Sequence, residues 1–175
     1  MFLTVRTIGR ADCQDHPEEF RRNRMAQFYT WSEKTLTSYL EDLRSAEEEG
    51  KNLMTLKYAR IGNQIPCLNS DPLIEKIVAR QTSWQKDLAA RYPCLMGRAR
   101  AIESLQDTDW QTSFETYLRC ELETYSGQTL RSLYADIQRY EQDHQNMNQR
   151  LYDFLVLDLG YGSMDEAEKA ASCNL

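Results

Sequence analysis

The sequence predicts an all-α protein that folds as a single domain over residues 1–175, built from two homologous helical halves. Val occurs three times against twenty Leu, and the chain contains only 7 Gly and 4 Pro. Since β-branched residues favour strands and Gly and Pro interrupt helices, this composition favours long helices. A third observation, an internal repeat, predicts the two halves. A chain of 175 residues is also long enough to bury one hydrophobic core.

The repeat becomes visible when the sequence is shifted by 94 residues, so that residues 15–58 align with residues 109–152. Eleven of the 44 ungapped positions are identical, where chance would give about three. The identical pairs are Asp15/Asp109, Phe20/Phe114, Thr30/Thr124, Ser32/Ser126, Thr35/Thr129, Leu36/Leu130, Ser38/Ser132, Asp42/Asp136, Glu47/Glu141, Asn52/Asn146 and Tyr58/Tyr152. We therefore predict that the halves pack around a pseudo-twofold axis.

The limits of the halves follow from the repeat and from a shorter match upstream of it. The Gly-Arg-Ala sequence at residues 9–11 recurs at residues 97–99 and is followed there by a six-residue insertion. The predicted parts are a first half over residues 1–65, a connecting helical region over 66–96, a second half over 97–162 and a tail over 163–175. Residues 1–5 are expected to be the end of a shortened helix, which leaves the first half incomplete.

Capping residues predict the helices of the first half in order. Asp15 is expected to be the N-cap of the first helix, with Pro17 in its first turn. A second helix is predicted from Ser32 to Glu49, and a third over roughly residues 52–61.

Similar signals predict the remaining helices. Asp and Pro at the start of residues 71–91 predict a long connecting helix that ends before the next Pro. Thr112, with Glu115 three residues later, predicts a capping box for the first helix of the second half. The other predicted helices cover residues 126–143, residues 146–159 and a short tail segment after Ser163.

Composition narrows the class of function. The formal net charge of −6 argues against a general nucleic-acid-binding protein, which normally carries a basic excess. No apolar run approaches eighteen residues and no charged-then-apolar leader opens the chain, so we expect neither a membrane span nor a signal peptide. Five widely spaced Cys and two His favour reduced thiols in the cytosol over disulfides or a histidine-rich metal site. We expect a cytoplasmic protein without a bound metal or cofactor.

The strongest candidate site is a polar cavity between the halves. Gln27 and Glu121 are equivalent in the repeat and lie on otherwise apolar helical faces, where polar side chains are costly to bury unless they are paired. Arg24 lies one turn from Gln27, at a position where the second half has Leu118. We predict that Glu121 acts as an acid or base and that Arg24 binds an anion. The alternative is a buried Arg–Glu pair that only fixes the packing of the halves.

Arginines on two loops form a second candidate site. Arg10 and Arg98 each follow a Gly ahead of a helix, and guanidinium groups bind carboxylate or phosphate through two parallel hydrogen bonds. The two loops would therefore clamp a small anion, unless each Arg merely caps a backbone carbonyl. Glu115, Arg119 and Glu123, spaced four residues apart, predict an exposed ladder of ion pairs.

Several of these segments resemble a known family. GRADCQ at residues 9–14, KYAR at residues 57–60 and TSFETYLR at residues 112–119 are similar to motifs of the family called domain of unknown function 4125, and the similarity covers nearly the whole chain. The resemblance implies an intracellular helical domain and assigns no reaction or substrate. The motif residues to test are Cys13, Gln14, Arg24, Gln27, Trp31, Lys57, Tyr58, Arg98, Glu115, Arg119 and Glu121.

The leading hypothesis is a small cytosolic enzyme that acts on a small anionic metabolite through a metal-independent lyase, hydrolase or cyclase step. Its catalytic residues would be Glu121, Tyr58 and Cys13. Its substrate would be bound by Arg10, Gln14, Arg24, Gln27, Trp31, Arg98, Glu115, Arg119 and Tyr125.

The alternative hypothesis is a non-catalytic helical protein that senses a ligand or binds a partner. A redox role for Cys13 is a third option, although the spacing suggests no resolving cysteine. We expect no nucleic acid and no membrane among the partners. A homodimer is compatible with the incomplete first half, because a second molecule would cover the surface that a shortened helix leaves open.

Overall fold

The computed structural model describes residues 15–172, and this part of the chain consists of helices and loops without any strand. The helices are α1 (Pro17–Tyr29), α2 (Glu33–Glu48), α3 (Leu53–Ile61), α4 (Pro72–Arg91), α5 (Pro93–Met96), α6 (Phe114–Leu122), α7 (Gly127–Gln142), α8 (Met147–Asp158) and α9 (Met164–Ser172), with a 3-10 turn at Ser104–Gln106. The predicted all-α class is confirmed. None of these helices combines the length and the apolar character that crossing a membrane requires. The expectation for residues 1–5 lies outside the described residues.

The helices of the two halves begin at equivalent caps. The side chains of Ser32 and Ser126 accept backbone N–H groups at the starts of α2 and α7, and Asn52 and Asn146 do the same for α3 and α8. The members of each pair are 94 residues apart. Each cap satisfies a backbone donor that the first turn of a helix leaves without an intrahelical partner.

The ends of α2 and α7 also correspond. The chain leaves both helices through a residue with left-handed backbone geometry, Gly50 at φ 66° and His144 at φ 53°. Directly afterwards, the N–H groups of Lys51 and Gln145 donate to carbonyl oxygens five residues back, at 2.7 and 2.8 Å. Glycine tolerates this conformation without strain, whereas histidine adopts it less readily.

The two helix starts are further connected by reciprocal contacts across the molecule. The backbone N–H of Ser32 donates to Asp136 of α7 at 2.9 Å, and the N–H of Ser126 donates to Asp42 of α2 at 3.0 Å. Helix α2 packs against α7, while α1 packs against α8 and α3 against α6. Each contact between the halves therefore has a counterpart with the partners exchanged.

Two predicted caps are displaced by one residue. The N-cap of α1 is His16 rather than Asp15, because a proline at the first helical position makes the preceding residue the cap. The N-cap of α6 is Ser113 rather than Thr112. The Ser113 side chain accepts the Thr116 N–H, and the Ser113 N–H donates to the Asp107 carboxylate.

The hydrophobic core consists of two clusters. The larger one lies around α2, α4 and α7 and includes the fully buried Ile77, Leu130 and Ile137. The smaller one joins the end of α4 to α5, α8 and α9 through residues such as Leu88 and Met164. Helix α4 packs against α6, α7 and α8, and no element within residues 15–172 packs in the equivalent way on α1 and α2.

Candidate functional site

Three charged side chains meet where α1, α3 and α6 approach one another. Arg24 comes from α1, Lys57 from α3 and Glu121 from α6. Lys57 is 3% exposed and Glu121 is 7% exposed, whereas the Arg24 side chain keeps 19% of its surface accessible. Buried charges are costly unless they are paired, so the geometry of this ionic cluster decides what it can do.

Both carboxylate oxygens of Glu121 are engaged. Oε1 accepts hydrogen bonds from Arg24 Nη1 at 2.5 Å, from the Tyr125 hydroxyl at 2.9 Å and from Gln27 Nε2 at 3.4 Å. Oε2 accepts from Lys57 Nζ at 3.3 Å. The carboxylate is thus held by four donor side chains, three from helices α1 and α3 and one from the turn between α6 and α7.

The two cations have further aromatic partners. Lys57 Nζ donates to the Tyr117 hydroxyl at 2.7 Å and lies 4.1 Å from the centre of the Tyr117 ring. Arg24 Nη2 donates to the Tyr39 hydroxyl at 3.0 Å, and its guanidinium carbon lies 4.8 Å from the centre of the Phe28 ring. Aromatic faces stabilise a desolvated cation, so these contacts hold both side chains in place.

Charge pairing keeps Glu121 ionised. Burial alone raises the pKa of this carboxyl, but the positive charges of Lys57 and Arg24 outweigh burial and hold its pKa well below the usual range. Burial and the neighbouring Glu121 charge raise the pKa of Tyr125, which therefore stays a neutral donor. Burial lowers the pKa of Lys57, but the attraction of Glu121 prevails and leaves it raised. Among the described residues the cluster thus carries two positive charges and one negative charge.

The ionic cluster arises from differences between the halves. Arg24 and Lys57 align with Leu118 and Leu151 of the second half, and Glu121 aligns with Gln27. On the Leu118 and Leu151 side, the structure has a cavity of about 30 Å³, lined also by Gln27, Trp31 and Tyr125. A cavity of this size admits a water molecule rather than a metabolite.

Two further predicted residues lie beside the ionic cluster. Trp31 packs edge-on against Tyr125, with ring centres 6.1 Å apart. The Tyr58 ring lies 6.4 Å from that of Tyr117, and Lys57 Nζ lies 5.1 Å from its centre. The structure therefore brings together Arg24, Gln27, Trp31, Tyr58, Glu121 and Tyr125.

Other predicted site residues make different contacts. Arg119 bonds Glu75 through two nitrogens, at 2.8 and 3.1 Å, and also pairs with Glu115 at 2.9 Å. Arg98 donates to the carbonyl of Ala171 at 3.4 Å, which corresponds to the carbonyl-capping alternative. The predictions for Arg10, Cys13 and Gln14 lie outside the described residues.

The predicted three-residue ladder is wrong in its third member. Glu123 is 5% exposed and turns away from Arg119. Its two oxygens instead accept from Arg60, and one of them also accepts the backbone N–H of Leu68 at 3.1 Å. Helix α3 supplies Arg60 and the loop before α4 supplies Leu68, and a residue pattern along α6 reveals neither of them.

Several residues of the ionic cluster could hardly be predicted from the sequence. Tyr39 and Tyr117 were not assigned to the site, and Lys57 appeared only through the family resemblance. A usable signal was the repeat, because Lys57 replaces Leu151 as Arg24 replaces Leu118. The tyrosines carry no comparable signal, since tyrosine at helical spacing is common in cores.

Within residues 15–172, no group of three or more His, Cys, Asp or Glu side chains has an arrangement that would hold a metal ion. A family model described as "Protein of unknown function (DUF4125)" matches residues 1–169. No curated protein and no solved structure matches the chain. The match confirms the family resemblance of the sequence motifs and leaves the role of the ionic cluster to be argued from its geometry.

Proposed function

We propose that this chain, which belongs to the DUF4125 family of proteins of unknown function, is a non-catalytic cytoplasmic protein that binds a partner protein through α1 and α2. One observation carries the proposal: an apolar face is exposed on these helices, while the equivalent face of the second half is covered by α4. The ionic cluster then serves to fix how the halves pack.

Four large apolar side chains are exposed on these helices, Met25 and Tyr29 four residues apart on α1 and Leu36 and Leu40 four residues apart on α2, and we call this set the α1–α2 face. These side chains are 48%, 53%, 36% and 44% exposed, respectively. Leu130, the repeat counterpart of Leu36, is fully buried. Groups of large exposed apolar side chains are typical of interaction sites, whereas single ones are common on any surface.

The comparison between faces depends on a second inference, that the halves arose by internal duplication. Its support is the equivalence of the caps at Ser32 and Ser126, the equivalent helix ends and the reciprocal hydrogen bonds to Asp136 and Asp42. Unrelated helices would have no reason to repeat these features at a constant offset of 94 residues.

The state of Glu121 supports a structural role for the ionic cluster. A general acid or base works best when its pKa lies near the operating pH, and the pKa of Glu121 is held far below that. Both of its oxygens already accept hydrogen bonds from the protein, three on Oε1 and one on Oε2. A buried carboxylate in this state stabilises one arrangement of α1, α3 and α6.

Photo-crosslinking in cells tests the proposed function. A photoreactive phenylalanine analogue at Leu36 or Leu40 is expected to give a discrete crosslink to another protein. The matched control is Ser45, which is exposed on the opposite side of α2, two and a half turns from Leu36. Equal crosslinking from all three positions, or none from any, contradicts a partner-binding face.

A second candidate function is the enzyme acting on a small anionic metabolite. It is favoured by the charge balance of the ionic cluster, in which Arg24 and Lys57 share a single carboxylate among the described residues. If the protein is such an enzyme, phosphates or carboxylates are expected to raise its melting temperature, and Lys57→Met is expected to abolish this increase. Arg139→Gln, on an exposed arginine, is the matched control. If no anion in a broad panel stabilises the protein, this candidate is rejected.

A further inference from the structure

We propose that the α1–α2 face binds an amphipathic helix of a partner protein, in the position that α4 occupies on the second half. This inference rests on the partner-binding function and names the chemistry of the partner. The contacts of α4 with α6 and α7 specify the shape of such a helix. The differences between the two faces specify its side chains.

A single helix suffices to cover both α6 and α7. Glu75 and Lys76 are neighbours on α4, yet Glu75 bonds Arg119 of α6, and the Lys76 ammonium lies 5.9 Å from the ring centre of Tyr134 on α7. The repeat counterparts of Arg119 and Tyr134 are Met25 and Leu40. If the halves are equivalent, one helix in this position contacts both of these residues of the α1–α2 face.

The covered face is also more deeply buried than its uncovered counterpart. Leu130 packs in the larger core cluster together with Ile74 and Ile77 of α4. Leu36, at the equivalent position, is 36% exposed, and a helix placed there would remove it from water. Burial of an apolar side chain of this size is the main source of affinity for a helix in such a groove.

At two aligned positions, the second half carries charged side chains where the α1–α2 face carries an apolar and an aromatic one. Where α6 has Arg119 and Glu123, the α1–α2 face has Met25 and Tyr29. Glu123 pairs with Arg60, whereas Tyr29 packs against Phe154, the counterpart of Arg60, at a ring-centre distance of 5.1 Å. Arg150 donates to the Tyr29 hydroxyl at 3.0 Å, and Arg21, which pairs with Glu18, lies 3.7 Å from Met25 Sδ. A helix bound here therefore meets mainly apolar and aromatic side chains, and the arginines beside them already have partners.

This charge difference specifies the partner. Its helix carries an apolar side chain at the position where α4 has Glu75, because Met25 offers an apolar contact and no cation in place of Arg119, and the adjacent Arg21 is already paired with Glu18. Helix α4 of a second copy does not meet this requirement. Its apolar residues Ile74 and Ile77 are 3% and 0% exposed within their own chain, and it carries Glu75.

A peptide with the sequence of residues 71–91 and the change Glu75→Leu is a direct probe. Its binding to the full chain is measured by fluorescence anisotropy. Leu40→Glu in the protein is expected to weaken binding at least about tenfold, because it places an unpaired charge under the helix. Leu105→Glu, at a leucine that is 96% exposed in a different part of the chain, is the matched control and is expected to leave binding unchanged.

A charge exchange provides a second test that does not depend on a loss of binding. Met25→Arg recreates the situation of Arg119, so this variant is expected to prefer the peptide that retains Glu75 by about threefold, as an exposed ion pair would give. The unmodified protein is expected to prefer the Glu75→Leu peptide. Failure of the preference to reverse overturns the proposed position of the helix.

The remaining outcomes separate this inference from the proposed function. Absence of peptide binding, combined with a crosslink from Leu36, rejects the helical partner but leaves partner binding intact. Absence of both rejects both proposals. Sedimentation that detects a dimer abolished by Leu40→Glu overturns the inference in favour of a second copy on this face.

Discussion

At the scale of single residues, the ionic cluster depends on a difference between two equivalent positions. Gln27 and Glu121 align in the sequence repeat, but only a carboxylate compensates the charges of Lys57 and Arg24. We expect Glu121→Gln to lower the free energy of unfolding by about 3–5 kcal/mol, because it leaves buried cations without a counter-charge. Urea denaturation at pH 7 measures this loss.

The control for this variant is Glu41→Gln on the exposed side of α2, which is expected to change stability by less than about 0.5 kcal/mol. A loss below about 1 kcal/mol for Glu121→Gln contradicts a compensating role for this carboxylate.

The pH dependence of stability provides an independent test of Glu121. Its pKa in the folded protein is lowered, so its contribution is fully present above its unfolded pKa of about 4.3 and is lost as the pH falls towards the folded value. The stability difference between the unmodified protein and Glu121→Gln is therefore expected to shrink from pH 5 to pH 3. Urea titrations at several pH values measure this difference. A difference that stays constant over this interval contradicts the lowered pKa.

The sequence predicts part of this site because aligning the two halves reveals polar residues on apolar helical faces, some of which differ between the halves. Arg24, Gln27 and Glu121 were found in this way. Tyr39 and Tyr117 were not, because their role depends on which hydroxyl meets which cation once α1, α3 and α6 are packed. Such contacts between helices leave no periodic pattern in the chain.

At the scale of helices, the reciprocal aspartates are not equivalent in their surroundings. Asp136 is 3% exposed and accepts from both the Ser32 N–H and the Thr35 hydroxyl. Asp42 is partly exposed and accepts from the Ser126 N–H at 3.0 Å. We expect Asp136→Ala to cost about 2–3 kcal/mol and Asp42→Ala about 1 kcal/mol, since only the former leaves buried donors unsatisfied.

Urea denaturation of the two aspartate variants, with helix content measured in parallel, provides the comparison. Each variant changes the same residue type at equivalent positions, so they serve as controls for one another. Equal losses would mean that burial does not distinguish the two contacts.

Most helices could be predicted from the sequence because their caps are local. Ser32 and Asn52 lie directly before the helices they cap, and Asp71 accepts the N–H of a residue two positions later. The start of α6 is predicted one residue early because Thr112 and Ser113 are both suitable N-cap residues, and the sequence pattern does not show that the Ser113 N–H donates to Asp107, six residues earlier. Local patterns predict helix boundaries only where local contacts set them.

At the scale of the whole molecule, the two core clusters are connected through the C-terminal part of α4. The smaller cluster holds α9 against α5, and Glu168 of α9 accepts the backbone N–H groups of Cys94 and Leu95 at 2.8 and 2.7 Å. Burial raises the pKa of this carboxyl, but the two N–H groups prevail and lower it. The sequence predicts the tail helix. It does not predict the hydrogen bond between Leu95 and Glu168, because these residues are 73 positions apart and no local pattern connects them.

Because this contact is separate from the larger cluster, we expect α5 and α9 to open without the remainder of the fold. Glu168→Ala removes the acceptor of two backbone N–H groups, so amide hydrogen exchange in α5 and α9 is expected to accelerate at least about tenfold. Exchange in α2 and α7 is expected to stay unchanged, since their core around Leu130 and Ile137 does not include Glu168. Asp165→Ala, on an exposed neighbour in α9, is the control. Equal acceleration in all four helices would mean that the two clusters unfold as one cooperative unit.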